Sequence, residues 1–271
     1  MVLNLYATRD DLKARLGLAD TDDDSILDLV LSSVSREIDS WCGRQFFASV
    51  GTRYYSPKHC AHIMVDDLLS VTSIKTDDDG DRTYGVTWAT TDYDLQPLNA
   101  AQMSPPQPYW YISAAPLGRY GWPQATSGVQ IIGRWGYYDV LQTSSATLAE
   151  DLDTSELGVD VSSGAAFKVG QVIEIDSERM EITAIVTNTL TVSRAVNGST
   201  AAAHTTGAAI RVATFPMIGE AALHQATLEF RGKDAPLGIQ GSPEFGQTIR
   251  AVGLHPFVQN MLRPFRTPRL A

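Results

Sequence analysis

DDDSILDLVLSSVSREIDSWCGRQF, from Asp22 to Phe46, carries the longest helical pattern in the chain. Its apolar residues recur every three or four positions, which places them on one stripe of a helix. Acidic residues crowd the start, where the helix dipole favours negative charge. Gly43 follows the last periodic residue, where a left-handed C-cap is common. The pattern predicts a long helix with one buried face, made of Ile26, Leu27, Val30, Leu31, Val34, Ile38 and Trp41.

The composition is that of an acidic globular chain. The 271 residues carry a net charge of −10, which argues against a protein that grips phosphate over a broad basic face, although DNA could still slide past it. No apolar run approaches the roughly 18 residues of a membrane span, and the N-terminus lacks the layout of a secretion signal. Two cysteines, Cys42 and Cys60, are too few for a disulfide framework. We therefore expect folding in a reducing cytoplasm and no membrane partner.

Two more helices are predicted from their end signals. Thr8 resembles an N-cap, and Gly17 closes a short helix over roughly Arg9 to Leu16. Pro216 opens the other helix, as proline does at a first helical position, and Gly232 ends it. The small residues of this last helix predict close packing against the long helix.

Between Phe46 and Ile132 the pattern changes to short strands rich in Tyr, Val, Ile, Thr and Trp. The DDDGD run from Asp77 to Asp81 has the Asp-Gly signal of a tight hairpin. The predicted strands are Thr52–Ser56, Ala61–Val65, Val71–Thr76, Tyr84–Thr90, Tyr109–Ala114 and Gly128–Trp135.

From residue 139 to 214 the chain loses most of its aromatic residues and again alternates between strands and turns. We read this part as a small β domain inserted in a connector domain that comprises residues 1–138 and 215–271. The fold class predicted is α+β: a small helical-bundle framework, a short-stranded β region and the inserted β domain. The inserted strands are Val172–Ile175, Met180–Ile185, Thr189–Val192 and Ile210–Val212.

Four groups of residues suggest chemistry, and each has a structural alternative. Asp20, Asp22 and Asp24 alternate as in a calcium loop, but the following positions do not fit and helix capping explains them. The run from Lys58 to His62 offers three metal ligands without the second cluster that zinc sites usually have. Cys42, beside Trp41, is either a reactive thiol or a buried apolar filler.

The fourth group is a set of carboxylates, Glu174, Asp176, Glu178 and Glu181. Paired carboxylates suggest a glycosidase. On alternating strand positions, however, Glu174, Asp176 and Glu178 share one face, so we expect a solvated sheet face. No constellation of catalytic residues and no nucleotide-binding glycine loop is present, and we expect neither enzymatic activity nor a metal or cofactor.

The end of the chain is cationic and interrupted by proline. After Glu244 it contains no acid, and Pro256, Pro264 and Pro268 break it into short pieces. On an acidic protein this is the clearest charge asymmetry, and it is typical of an interaction segment. Its basic residues are Arg250, Arg263, Arg266 and Arg269.

Several short motifs occur in an informative order: YATRDDLKARLG, an acidic linker, SREIDSWCGRQF, RWGYY, a helix opened by FP, and GLHPFVQNMLRPFR. In this order the chain resembles the head–tail connector (adaptor) proteins of long-tailed bacteriophages. The likeness covers about half of the chain and excludes the inserted β domain.

The resemblance implies a structural virion protein of the neck. Such proteins form a ring, here expected to be a dodecamer, which docks beneath the portal, extends the DNA channel and receives the next neck component, a stopper or tail terminator. DNA would pass without sequence-specific binding. The C-terminal segment would reach the portal, where an unfolded tail can bury anchors as it orders. The expected portal contacts are Leu254, Phe257, Leu262, Arg263, Phe265 and Arg266.

An acidic channel wall would repel phosphate and let DNA slide. Candidate channel-facing acids lie in the linker before the long helix and in the DDDGD loop, and both runs are also explained as solvated turns. The alternative function is a monomeric protein whose inserted β domain binds a carbohydrate or another protein. The candidate acids are Asp20, Asp22, Asp23, Asp24, Asp77, Asp78, Asp79 and Asp81.

Overall fold

The computed structural model describes residues 3–103, 106–116, 118, 120–137, 140–233, 239–240, 249–250 and 253–267. Its contacts group the chain into two compact units. The discontinuous unit comprises residues 1–44 and 140–271, and the central unit comprises residues 45–139. Each unit contains a six-stranded antiparallel sheet. The α-helices found in the described residues all belong to the discontinuous unit.

The expected helical-bundle framework is wrong. The described chain is mostly β, with two six-stranded antiparallel sheets and four helices, and only 26% of it is helical. The physical reason is that each sheet buries a core of its own. Trp88, Trp122 and Trp135 lie in the core of the central unit, whereas branched aliphatic side chains dominate the core of the other sheet. More of the buried hydrophobic residues therefore lie on strands than on helices.

The three predicted helices begin and end where their sequence signals placed them. The Thr8 side chain accepts a hydrogen bond from the Asp11 N–H at 3.2 Å. Gly17 and Gly43 have φ values of 73° and 69°, the left-handed conformation that glycine adopts without strain. Ile26, at the border of the predicted stripe, is exposed instead of buried. The helices are α1 (Arg9–Leu16), α2 (Asp24–Cys42), α3 (Pro216–Gly232) and α4 (Pro256–Leu262).

The sheet of the central unit, here the aromatic sheet, has the strand order β1-β6-β2-β5-β4, with β3 added beside β2. The two strands predicted at 61–65 and 71–76 are one long strand, because β2 continues through irregular register between Met64 and Ser73. The expected hairpin is present, because β2 and β3 pair antiparallel from Thr76 and Val86 onward, but the loop 77–85 that joins them is longer than the tight turn expected. The strands are β1 (Ser49–Tyr55), β2 (His62–Thr76), β3 (Val86–Trp88), β4 (Tyr93–Gln96), β5 (Tyr109–Ala114) and β6 (Val129–Trp135).

The second sheet, here the closed sheet, has the order β7-β12-β9-β10-β11-β8. Its two end strands meet, because Leu148 and Val161 form a bridge and the Ser162 N–H donates to the Thr147 carbonyl at 2.9 Å. Closure removes the exposed edges that a flat sheet presents. The strands are β7 (Leu141–Thr147), β8 (Gly158–Asp160), β9 (Val172–Ile175), β10 (Glu178–Val186), β11 (Thr189–Ser193) and β12 (Ala209–Ala213).

The N-terminal residues connect the closed sheet to the helices. The Leu3 N–H donates to Glu181 at 2.9 Å, and the side-chain amides of Asn4 and Asn197 bond each other at 2.9 Å in both directions. The Tyr6 N–H donates to Ser35 of α2 at 3.3 Å. This is why contacts group the closed sheet with the helices. That residues 139–214 are an insertion in a connector domain stays a prediction.

Candidate functional site

The C-terminal segment, residues 253–267, is folded in the isolated chain. The ring of His255 accepts the Phe257 N–H at 3.2 Å and so caps α4. Pro256 occupies the first turn of α4, where its missing N–H costs little. Pro264 lies in the single 3₁₀ turn that follows, 263–265. The local sequence thus produces one short helix with defined ends instead of the unfolded tail that we expected.

Apolar burial and hydrogen bonds to its backbone groups hold this segment on α2 and α3. The buried Gln225 side chain of α3 accepts the His255 N–H at 2.9 Å and donates to the Gly253 carbonyl at 3.5 Å. At the other end, the Thr267 N–H donates to the Cys42 carbonyl at 2.9 Å. The side chains that turn inward and are buried are Leu254, Val258, Leu262 and Phe265.

The six predicted portal contacts therefore divide into two sets. Leu254, Leu262 and Phe265 face inward. Phe257, Arg263 and Arg266 face solvent, and the Phe257 side chain is 52% exposed. The outward set, here called the docking face, combines one aromatic anchor with two guanidinium groups, which is a composition suited to carboxylates on a partner.

Neighbouring side chains orient the docking face. The Arg266 guanidinium lies over the Trp41 ring, 5.2 Å from its centroid, and the Phe257 ring meets the His224 ring edge-on at 5.0 Å. These contacts reduce the freedom that each side chain would lose on binding, and so favour association.

A pair of half-buried acids lies beneath the start of the segment. Burial, with the like charge of Glu229, raises the pKa of Glu37, and burial raises the pKa of Glu229 despite its hydrogen bond from Gln225. Gly253 passes close to Glu37, since a Cβ built on it would lie 3.6 Å from Oε1. Two acids whose pKa values are raised therefore lie below the docked segment.

We expect the variant Glu37→Gln to be more stable than the wild type at neutral pH. A pKa that is raised in the folded state means that folding binds protons, so stability is full below the unfolded pKa and falls as pH rises through the folded pKa. Thermal unfolding at pH 7 should occur at higher temperature in the variant. The difference should shrink as pH falls through the unfolded glutamate pKa of about 4.3 and should vanish well below it, where both acids are protonated in either state; a difference that persists there contradicts the explanation.

The linker acids before α2 are in part neutralised. Asp23 pairs with Lys233 at 2.8 Å, and Asp24 pairs with Lys13 at 2.7 Å. Asp20 accepts the Asp22 N–H at 3.3 Å, which shapes the turn. The outermost acids of the linker, Asp20 and Asp22, are exposed.

In the second acidic run, Asp77 stabilises the loop 77–85. It is buried, and its carboxylate accepts the N–H groups of Gly80 at 2.8 Å and Arg82 at 2.9 Å. Burial tends to raise its pKa, but these hydrogen bonds lower it overall. The hydrogen bond with Asp77 raises the pKa of Asp79. Asp78, Asp79 and Asp81 are the members that face solvent.

Carboxylate oxygens of Asp77, Asp79 and Asp81 lie within 4.8 Å of one another. An exposed acidic turn of this kind does not by itself establish a metal site. Among the described residues, the three potential ligands between Lys58 and His62 do not converge on a common point, although the rings of His59 and His62 stack at 5.0 Å.

The interpretation of Cys42 as an apolar filler is confirmed. The side chain is buried at the end of α2, and burial raises the pKa of its thiol to about 12. A thiol with such a pKa remains protonated at neutral pH, so it is a poor nucleophile.

The solvated face expected for the carboxylates of the closed sheet is wrong for Glu174 and Glu178, whereas Asp176 is exposed as expected. Glu178 is fully buried where β10 begins, and Glu174 is buried on β9. Glu178 accepts hydrogen bonds from Arg194 at 2.9 and 2.6 Å and from the Ala202 N–H at 2.9 Å. Burial by itself raises the pKa of Glu178, but these bonds and one with His204 outweigh it and lower the pKa to about 2.

The other members of this buried network are paired as well. Glu174 accepts hydrogen bonds from Arg179 at 2.9 Å and from Arg211 at 2.5 Å. One ring nitrogen of His204 lies 2.7 Å from Asp176, and the other lies 3.0 Å from the buried carboxylate of β10. The network ties the loop 194–204 to the β9–β10 hairpin, which is a structural arrangement. The sequence signal for it was the presence of three arginines and a histidine in the strands and loops that face these acids.

Within the described residues no helix is both long and apolar enough to cross a membrane. Comparisons of this chain with protein-family models, with curated proteins and with solved structures find no match.

Proposed function

We propose that this protein is a head–tail connector of a long-tailed bacteriophage. Copies would form a ring, expected to be a dodecamer, that docks beneath the portal and receives a stopper or tail terminator. The order of motifs along the chain supports this proposal. The observation that carries it is the docking face, because an ordered segment on α2 and α3 presents Phe257, Arg263 and Arg266 to solvent.

The charge distribution supports the same function. The chain has a net charge of −10, whereas the docking face is cationic, so attraction to an acidic portal surface would orient the protein as it approaches. Acids remain exposed in the linker, at Asp20 and Asp22, and in the loop, at Asp78, Asp79 and Asp81. Such acids on a channel wall would keep DNA from adhering. The protein would act in the virion neck after folding in the host cytoplasm, with no catalytic step.

Docking tests the proposal directly. Purified protein is mixed with purified portal, and electron microscopy records whether rings form on the portal. The triple variant Phe257→Ala, Arg263→Ala, Arg266→Ala should bind at least about tenfold more weakly, since aromatic and arginine anchors dominate many interfaces. Its circular dichroism spectrum should match that of the wild type, because the three side chains face solvent.

A matched control removes an apolar group and two cations elsewhere. Leu98, Lys58 and Arg82 are exposed residues of the central unit, and their joint replacement by alanine should leave docking unchanged. Absence of any ring on the portal, together with absence of the protein from virions, contradicts the proposal. If the triple variant docks as well as the wild type, the docking face is not the surface that contacts the portal.

A further inference from the structure

The aromatic sheet has two unequal edges at the ends of its strand order. At one end, β4 has four residues and is followed at once by Pro97, which has no N–H to donate. At the other end, β1 has seven residues and contains no proline. Within the described part of the chain, β1 pairs only with β6. The outer edge of β1 is therefore the longer surface on which another strand can add.

The pairing pattern identifies which backbone groups of β1 point away from β6, where the described residues place no other strand. The Asp77 N–H donates to the Gly128 carbonyl at 2.9 Å, so the backbone groups of Gly128 point toward β2. Backbone direction alternates along a strand, and Val129, which pairs with Tyr55, therefore points toward β1. Continued along the register, odd-numbered residues of β1 bond to β6. The N–H and C=O groups that point outward belong to Val50, Thr52 and Tyr54.

The sequence of β1 is compatible with a second copy of itself. If two β1 strands run antiparallel about a two-fold axis at Thr52, each outward-pointing backbone group meets another one. Val50 then lies opposite Tyr54 of the second copy, and Thr52 lies opposite its equivalent. β-branched and aromatic residues form favourable pairs across antiparallel strands, as do two threonines.

Charge does not oppose this arrangement. Arg53 is the one charged residue of β1, and it would lie opposite Gly51 of the second copy. Its guanidinium is already turned inward, 4.4 Å from the Trp135 ring centroid and 2.7 Å from Asp66. The side chains of Val50 and Tyr54 are 41% and 54% exposed, and the pairing would cover part of this apolar surface.

We propose that the free protein forms a two-fold dimer in which the β1 strands of two copies join their aromatic sheets edge to edge. The pairing is distinct from docking to a portal, since it uses the central unit and needs no other protein. The closed sheet offers no comparable edge for pairing, because its end strands bond to each other.

Sedimentation equilibrium of the protein alone tests the dimer. The wild type should show a mass of two chains at micromolar concentration. The double variant Val50→Lys, Tyr54→Lys places an ammonium opposite an ammonium twice, and its dimer dissociation constant should rise at least about tenfold. The variant Val50→Lys, Tyr54→Glu places opposite charges across the axis and should restore the dimer.

The charge reversal separates pairing from folding. Along one strand these two residues lie about 13 Å apart, so the two introduced charges interact only weakly within a single copy. The two variants should therefore fold equally well and differ only in pairing. The control Leu98→Lys, Met103→Lys alters exposed apolar residues off the edge and should leave the dimer intact. A monomeric wild type, or equal masses for the two variants, overturns the proposal. A larger assembly that is insensitive to all of these changes would be the ring, and would also overturn edge pairing.

Discussion

Replacement of Arg194 by alanine should lower the free energy of unfolding of the discontinuous unit by about 3–5 kcal/mol, because it leaves the buried Glu178 carboxylate without its cation. Arg194 makes two hydrogen bonds to that carboxylate, and Glu178 is fully buried. Replacement of a whole buried ion pair by apolar residues often costs little stability. Removal of only one partner is strongly destabilising, because the other charge then stays buried without its counterion.

Tryptophan positions allow the two units to be followed separately. Of the five tryptophans, Trp88, Trp110, Trp122 and Trp135 lie in the central unit and Trp41 lies in the other. In urea, hydrogen exchange of the closed sheet should show the loss of stability. The urea midpoint of most of the tryptophan fluorescence transition should stay unchanged, because four of the five tryptophans lie in the central unit. The control Arg211→Ala should cost less than about 1 kcal/mol, since the Arg211 side chain is 40% exposed and Glu174 keeps Arg179.

The same substitution has a predictable pH dependence. The folded pKa of Glu178 is lowered from 4.5 to about 2, so its contribution to stability is full above the unfolded pKa and is lost as pH falls through the folded value. The stability difference between wild type and Arg194→Ala should therefore narrow from pH 5 toward pH 2. A difference that stays constant over this range would show that lost packing, and not the ion pair, explains the effect.

The second large effect is expected in the C-terminal segment. Phe265→Ala should destabilise the discontinuous unit by about 3–5 kcal/mol, the usual range for removal of a buried aromatic ring. Phe265 is 1% exposed at the end of the segment. Because the segment is anchored by burial, removal of residues from Leu254 onward should also destabilise the helices.

Phe257→Ala is the matched control, since that ring lies on the same segment and faces solvent. It should change stability by less than about 1 kcal/mol while it weakens portal docking. Urea unfolding followed by circular dichroism, with hydrogen exchange across residues 253–267, measures both variants. Equal stability losses for the two would mean that the inward and outward sets are assigned wrongly.

Local signals predicted the helices well because a helix begins and ends on interactions within a few residues. Thr8, Gly17, Gly43 and Pro216 act on their own turns, and the observed ends agree with them. Strand identity was also readable, as at Tyr109–Ala114. The fold class was predicted wrongly, because the motifs used for it lie mostly on helices. Such motifs do not indicate how much of the core the strands bury.

The candidate site was predicted only in part. Sequence located a cationic, proline-rich end, but it could not say which side chains turn inward. The distinction between Phe257 and Phe265 depends on α4 packing against α3, about thirty residues away in the chain, and on the following residues reaching the end of α2, more than two hundred residues away. The docked segment is held by Gln225 and Cys42, and neither contact has a local signal.

By itself, the sequence determined the helix ends, most strand positions, the acidic overall charge and the cationic end, because these depend on residue type and short-range spacing. The tertiary structure alone decided that the second sheet closes at Leu148 and Val161, that Glu178 is buried against Arg194, and that the C-terminal segment is folded. In each of these cases the stabilising partner lies beyond the few residues that local spacing covers, 16 residues away for Glu178 and 30 residues away for the His255–Gln225 bond of the C-terminal segment. The burial of a charge or an apolar ring is set by that partner and not by its neighbours in sequence.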